Sequence, residues 1–170
     1  MSHLVTTERA IVLRVAQIGE SFHKIDIHSL DRGVYLCLKR IPKKKSQNPT
    51  TDLFDTADIH IETSKQGTTR FVNEYQLVHR RSHIGQSYRT LKHASDFCAL
   101  IAHNGPHMDD APALYHITER TLNAFAEGKL PAIVFLKALY ILLKDEGYPV
   151  RESWWPQLPI NLRKSAKLLI

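Results

Sequence analysis

The densest group of side chains that could bind a ligand lies at residues 39–45. This basic run reads Lys-Arg-Ile-Pro-Lys-Lys-Lys and holds five positive charges in seven residues. No acidic residue occurs between Asp31 and Asp52, so no close neighbour in the sequence neutralises these charges. Cations at this density attract polyphosphates, such as a nucleic-acid backbone. Most charged runs are only solvated loops, however, so the run alone leaves both interpretations open.

Ten basic side chains are candidate phosphate contacts, and half of them belong to the basic run. They are Lys39, Arg40, Lys43, Lys44 and Lys45, together with Arg14, Lys65, Arg70, Arg80 and Arg81. Cations that contact phosphate oxygens give affinity without reading the base sequence. If these residues bind nucleic acid, we expect binding that is non-specific and strongly dependent on salt.

The sequence contains no recognisable catalytic or metal-binding motif. A Gly-x-Ser-x-Gly elbow, a phosphate-binding glycine loop and a dinucleotide-binding glycine pattern are all missing. The ten histidines lack the spacing of a zinc site. Cys37 and Cys98 lie within apolar segments, which predicts buried thiols. We therefore predict that the protein is not an enzyme and uses no metal or cofactor.

Two adjacent pairs of residues could be mistaken for functional sites. Asp109 and Asp110 precede a helical pattern, where acidic residues commonly cap a helix N-terminus. Trp154 and Trp155 could stack on nucleic-acid bases, but such a pair more often packs on neighbouring helices. We expect structural roles for both pairs.

The charge of the chain favours an anionic partner. The 170 residues carry a net charge of +6. Residues 1–81 hold 13 Lys and Arg against nine Asp and Glu, a net charge of +4, and residues 82–170 hold ten against eight, a net charge of +2. The longest apolar run, residues 132–143, is shorter than the ~20 residues of a membrane span. No basic start followed by an apolar segment indicates secretion, so we expect a soluble, cytoplasmic protein that does not bind a membrane.

The first half of the chain has the alternating pattern of β-strands. Ile25 and Ile27, for example, alternate with polar residues, and a turn at residues 30–33 follows them. Strands are predicted at residues 9–15, 22–28, 34–38, 56–62 and 70–78. Five short strands with a small core predict an OB-fold β-barrel over residues 1–80. The basic run then follows the third strand.

The second half has helical periodicity. Apolar residues recur at steps of three and four in four segments, residues 84–101, 114–125, 133–146 and 161–170. Glycine and proline separate these segments. The third segment is apolar nearly all round, which predicts the central helix of the group. We therefore predict an all-α helical domain over residues 81–170 and an α+β chain overall.

Several short segments occur in the order that one known family shows. They are residues 9–13 (first strand), 18–21 (turn), 30–33 (hairpin), 34–46 (strand and basic loop), 52–55, 75–78 (last barrel strand) and 136–150 (apolar helix ending in Gly-Tyr-Pro). In this order they resemble the RecO family of bacterial DNA recombination and repair mediators. The resemblance covers roughly residues 5–155.

That resemblance implies a function and a set of partners. Members of the family carry an OB-fold domain on a helical domain, bind single- and double-stranded DNA, anneal complementary strands and help load recombinase. The implied partners are a RecR-type mediator and the acidic C-terminal tail of single-strand-binding protein, and the implied location is the nucleoid. The chain departs from the family in lacking its four-cysteine zinc site, and residues 52–55 read Asp-Leu-Phe-Asp where the family has Leu-Gln-Pro-Phe.

Three functional hypotheses follow. The first is a non-catalytic DNA-binding mediator of recombination and repair, in which the basic run holds the phosphate backbone. The second is a protein-interaction adaptor whose basic surface holds an acidic peptide tail. The third is an RNA-binding OB-fold protein.

Overall fold

The five predicted strands are present and close into a barrel. The structure is a computed structural model that describes residues 5–42 and 50–167. The strands are β1 (Val5–Ile18), β2 (Phe22–Ser29), β3 (Gly33–Arg40), β4 (Thr56–Thr63) and β5 (Arg70–His79). Their order around the barrel is β1-β2-β3-β5-β4, and β4 pairs with β1 to close it. This is an OB-fold barrel followed by a helical region, so the predicted α+β class is confirmed.

The longest strand, β1, pairs with two neighbouring strands. Its first half pairs with β4 from Val5 to Ile11, and its second half pairs with β2 from Ala10 to Ile18. The register shifts between Val12 and Arg14, and such an irregularity bends a strand. The bend allows one strand to cover two sides of a small barrel.

Alternating apolar side chains from all five strands fill the barrel. The fully buried cluster consists of Ala10, Val12, Ile25, Ile27, Cys37, Ala57, Ile59, Ile61, Val72 and Tyr75. The residue next to a core residue on a strand faces outward, because successive side chains point to opposite faces. The parity of β5 changes between Val72 and Tyr75, where the pairing with β4 shifts register. The parity therefore assigns Phe22, Lys24 and Arg40 to the outer surface.

A short parallel contact between β3 and β5 completes the barrel. Leu38 lies opposite Phe71, and Lys39 lies opposite Val72. The contact joins residues that are more than 30 positions apart in the sequence, so strand patterns alone do not show it. It brings the end of β3, where the basic run begins, next to the start of β5.

The helical region contains four α-helices in the part of the chain that the structure describes. They are α1 (Tyr88–Asn104), α2 (Ala111–Ala126), α3 (Pro131–Asp145) and α4 (Ile160–Lys167). Gly128 and Gly147 follow α2 and α3 with left-handed φ angles of 76° and 81°, which end a helix without steric cost. Asp110 accepts a hydrogen bond from the Ala113 amide at 3.0 Å, so its predicted capping role is confirmed. None of these helices is long and apolar enough to cross a membrane.

The third helix buries one stripe of its apolar residues. Ile133, Val134, Ala138 and Leu142 are buried. Most of the other apolar residues of α3, which include Leu139, are half-buried, and Ala132 is exposed. The central place of this helix in its group stays a prediction.

The chain forms two compact units that do not follow its linear order. Met1–Arg81 and Cys98–His116 form the first unit, and Ser82–Phe97 and Ile117–Ile170 form the second. The predicted domain boundary at residue 80 stays a prediction.

The end of α1 and the start of α2 belong to the barrel unit because they pack closely on its strands. A Cβ atom added to Gly105 would lie 2.5 Å from Val34 Cγ2, so only glycine fits there. The ring of His28, on β2, meets the ring of Tyr115 edge-on, with 5.5 Å between the ring centres.

Candidate nucleic-acid interface

Arg40, the second residue of the basic run, lies on the outer surface of the barrel. Arg40 is exposed at the end of β3, and its guanidinium carbon lies 5.8 Å from the centre of the Phe22 ring. The Ile41 amide donates to the Ser21 carbonyl at 2.8 Å, so the pairing of β2 and β3 continues beyond the strands. Lys43, Lys44 and Lys45 lie outside the described residues. Their predicted role as phosphate contacts stays a prediction.

Lys39 forms a hydrogen bond across the two ends of the segment that carries the basic run. Its Nζ donates to Thr51 Oγ1 at 2.5 Å and lies 4.3 Å from the centre of the Tyr75 ring. Burial lowers the pKa of Lys39, and the negative charge of Asp55 opposes this effect. Residues 39 and 51 lie on either side of residues 40–50, so this hydrogen bond joins the two ends of that segment.

A buried carboxylate fixes the chain immediately after this loop. Asp55 is fully buried, and it accepts hydrogen bonds from the Tyr75 hydroxyl at 2.8 Å and from Arg80 Nη2 at 2.7 Å and Nε at 3.0 Å. It also accepts from the Asp52 amide at 3.1 Å. Burial, reinforced by the bond to Asp55, raises the pKa of Tyr75. The hydrogen bonds from Arg80 to Asp55 are the main cause that raises the pKa of the guanidinium. Arg80 also donates to the Thr50 carbonyl at 2.6 Å, which extends the network to the first described residue after the loop.

Arg81 stabilises a backbone conformation that is rare for a bulky side chain. Phe54 is buried and has a φ of 67°, in the left-handed region. Arg81 is also buried, and its Nη1 donates to the Phe54 carbonyl at 2.6 Å and to Thr56 Oγ1 at 3.0 Å. The Phe54 amide donates to the Val12 carbonyl at 3.0 Å. These bonds hold the strained residue in place and connect it to β1.

The remaining candidate cations lie in different settings. Arg14 Nε donates to Asp26 Oδ2 at 2.6 Å. Arg70 is half-buried, with its guanidinium carbon 4.6 Å from the centre of the Tyr35 ring. Lys65 is exposed in the turn between β4 and β5.

The described candidate cations therefore differ in how far they are engaged within the protein. Lys39, Arg80 and Arg81 form hydrogen bonds that position the residues following the basic run. Arg14 pairs with Asp26, and Arg70 lies over the Tyr35 ring. Arg40 and Lys65 are exposed and form no ion pair with the described residues, a difference that the sequence did not show. Whether any of these cations contacts phosphate stays a prediction.

Two aromatic residues beside the basic run were missed by sequence reasoning. The rings of Phe22 and Phe71 lie 6.2 Å apart, with 52° between their planes. Phe22 opens β2, and Phe71 is the second residue of β5, so the β1–β2 and β4–β5 turns flank the pair. In an OB-fold, these two loops and the face of strands 2 and 3 form the usual ligand-binding surface. A phenylalanine next to such a loop was the signal that could have identified them.

The other candidate sites have structural explanations. Tyr140 of α3 stacks on Trp154, with 6.2 Å between the ring centres, and meets Trp155 edge-on at 5.2 Å, so the predicted packing of this pair is confirmed. Cys37 and Cys98 are free, buried thiols, as predicted, and burial raises the pKa of each to about 12. Across residues 5–42 and 50–167, no three His, Cys, Asp or Glu side chains gather as a metal site.

A second basic surface lies on the helical region, in a groove between α2 and α3. Its floor is apolar and includes Val134 and Ile141. Three cations, Arg120, Lys129 and Lys137, line the same groove. Partial desolvation lowers the pKa of Lys137, and the charges of Arg120 and Lys129 add to this effect. The groove combines apolar and cationic character, which suits a ligand that is apolar and acidic.

Comparison with known proteins adds no relative. No family model matches the sequence, and no curated protein matches it significantly.

Proposed function

We propose that this chain is a non-catalytic DNA-binding protein that holds the phosphate backbone at the β3 end of its OB-fold barrel. The observation that carries the proposal is the basic run at that end, on a segment whose base is fixed by Lys39 and Asp55. These contacts fix the described residues on both sides of the segment, Lys39 before it and Asp52 after it.

The proposed activity follows from the chemistry of phosphate contacts. Each cation that neutralises a phosphate releases a bound counterion, which drives binding at low salt. Neutralised strands repel each other less, so a protein of this kind promotes annealing of complementary strands without reading bases. This activity agrees with the resemblance to the RecO family. A role in recombination and repair, with a RecR-type mediator and the acidic tail of single-strand-binding protein as partners, belongs to the same proposal.

The test measures the affinity for a single strand and for a duplex across a range of salt concentrations. Replacing Lys43, Lys44 and Lys45 by alanine removes up to three phosphate contacts. The slope of log K against log salt should then become shallower by about 2 for single-stranded DNA and by about 3 for duplex DNA. Weakening should be similar for all base sequences, because these contacts are not base-specific.

A matched variant controls for the change in net charge. Lys144, Lys164 and Lys167 are exposed on the helical region, and their replacement by alanine removes the same charge. The proposal expects this variant to keep nearly the wild-type slope. Equal slopes for the wild-type protein and for the variant of the basic run would contradict the proposal. An RNA strand of equal sequence, measured alongside, tests the RNA-binding alternative.

The groove between α2 and α3 favours a second candidate function. We propose as the alternative that the chain is an adaptor that binds an acidic peptide tail there. The apolar floor would hold an apolar side chain, and Arg120, Lys129 and Lys137 would face the acidic groups. Lys129 already forms an ion pair with Glu127 at 2.7 Å, which an acidic ligand would compete with.

A fluorescent peptide that ends in acidic and aromatic residues tests the adaptor function. Replacing Arg120 and Lys137 by glutamate should abolish its binding, because the reversed charges would repel the acidic groups of the peptide. Peptide binding that is insensitive to this double replacement would exclude the groove.

A further inference from the structure

The aromatic pair, Phe22 and Phe71, lies on the outer surface of the barrel. Ile25 on β2 and Val72 on β5 belong to the buried core, so the alternation of side chains directs Phe22 and Phe71 outward. The ring centres are 6.2 Å apart, within the contact range of aromatic pairs. Both rings are only partly buried, so part of each ring is accessible to a ligand.

The pair is surrounded by apolar and cationic neighbours. Leu38, also on the outer surface, lies opposite Phe71 in the β3–β5 pairing. Arg40 lies opposite Phe22 in the β2–β3 pairing, and its guanidinium carbon is 5.8 Å from the Phe22 ring centre. Lys24 follows Phe22 on the same face of β2.

An acidic side chain is also near the pair. Glu62 lies opposite Phe71 in the β4–β5 pairing, and it accepts a hydrogen bond from Asn73 Nδ2 at 2.6 Å. The cations thus cluster on the β2–β3 side of the rings, which is the side where the basic run begins. A strand whose phosphates contact Arg40 and Lys24 would bring its bases toward the rings.

We propose that unpaired bases of single-stranded DNA stack on Phe22 and Phe71 while Arg40 and Lys24 contact the adjacent phosphates. This inference rests on the proposed function and deepens it, because it assigns a strand preference to the site. Every base has a flat π-face, so aromatic stacking accepts any sequence. The bases of a duplex are already stacked on each other and cannot enter the site without unpairing. The site therefore distinguishes single strands from duplexes by geometry rather than by charge.

The test replaces both phenylalanines by leucine, which keeps apolar bulk at the surface and removes the flat rings. Three probes are compared at one salt concentration: a single strand of about 16 nucleotides, the duplex of that strand, and an abasic strand of equal length. This length is at the upper end of the site sizes that one OB-fold covers. The F22L/F71L variant should bind the single strand about tenfold to a hundredfold more weakly. Its affinities for the duplex and for the abasic strand should stay within about twofold of wild type, because the phosphate contacts are intact. Tyr88, which is 81% exposed on the helical region, provides the control variant Y88L.

Each outcome supports or overturns a specific claim. Wild-type affinity of F22L/F71L for the single strand would overturn the stacking and leave the proposed function standing. Equal weakening for all three probes would also overturn it, since loss of stacking cannot affect an abasic strand. Failure of the wild-type protein to bind any probe would overturn the proposed function and the stacking together.

A second measurement uses the wild-type protein alone and so does not depend on the folding of a variant. A single strand that contains 5-bromouracil is irradiated in the complex, and the cross-linked peptide is identified by mass spectrometry. Stacking predicts cross-links at Phe22 or Phe71. Cross-links only at other residues would overturn the proposal.

Discussion

A buried histidine should make the stability of the barrel unit depend on pH. His28 is fully buried on β2, and neither of its ring nitrogens has a partner with hydrogen-bond geometry among the described residues. Burial lowers the pKa of its imidazole from 6.5 to about 4, and the nearby Ala111 backbone opposes this effect only in part. The Tyr115 ring faces His28 edge-on, with 5.5 Å between the ring centres. The folded protein therefore keeps His28 neutral under conditions in which the unfolded chain protonates it.

The sign and size of the effect follow from this difference in pKa. The stabilising contribution is fully present above about pH 6.5, where His28 is neutral in both states. It is lost as the pH falls from about 6.5 to about 4, because the unfolded state then binds the proton more tightly. At about 1.4 kcal/mol for each pH unit, the free energy of unfolding should fall by about 3 kcal/mol over this window.

Urea unfolding at a series of pH values, followed by circular dichroism, measures the effect. The variant His28→Phe keeps an aromatic ring and cannot titrate, so its free energy of unfolding should fall by about 3 kcal/mol less than that of wild type across the window. His103→Phe, at an exposed position, should keep the wild-type pH dependence. A pH dependence of His28→Phe that matches wild type would refute the reasoning.

Three further predictions concern packing and buried groups. Gly105→Ala should destabilise the protein by about 1–3 kcal/mol in urea unfolding, because the added Cβ would meet Val34. A second substitution, Val34→Ala, should recover part of the lost stability. Full stability of the Gly105→Ala variant would contradict the contact. Asp55→Asn should cost about 3 kcal/mol, since it breaks an ion pair whose carboxylate is fully buried, and a change below about 0.5 kcal/mol would contradict the anchoring network. Cys37 and Cys98 should react with a chromogenic thiol reagent only after unfolding, and rapid reaction in the native protein would contradict their burial.

Much of the fold could be predicted from the sequence because its signals are local. Alternation at Ile25 and Ile27 defined β2, and the glycines and prolines marked the ends of the helices. The packing of residues 98–116 with the barrel could not be predicted, since it depends on a close approach of Gly105 to Val34 rather than on a sequence pattern.

The candidate site was only partly predictable for a related reason. The basic run was visible as a cluster of charges, but the sequence did not show which cations have carboxylate partners. Asp55 and Arg80 are 25 residues apart and meet only in the folded barrel. Phe22 and Phe71 are still farther apart in the sequence, and the β3–β5 contact brings them together. Non-local pairing of this kind leaves no local pattern.

Hydrogen exchange with and without single-stranded DNA tests the central claim most directly, because it locates the nucleic-acid surface on the wild-type protein. The account predicts slower exchange on binding at residues 22–26, 36–40 and 64–72, which surround the aromatic pair and the start of the basic run. Residues 117–141, which carry the groove between α2 and α3, should exchange at unchanged rates. Slower exchange confined to residues 117–141, or no change at all in the barrel, would contradict the account.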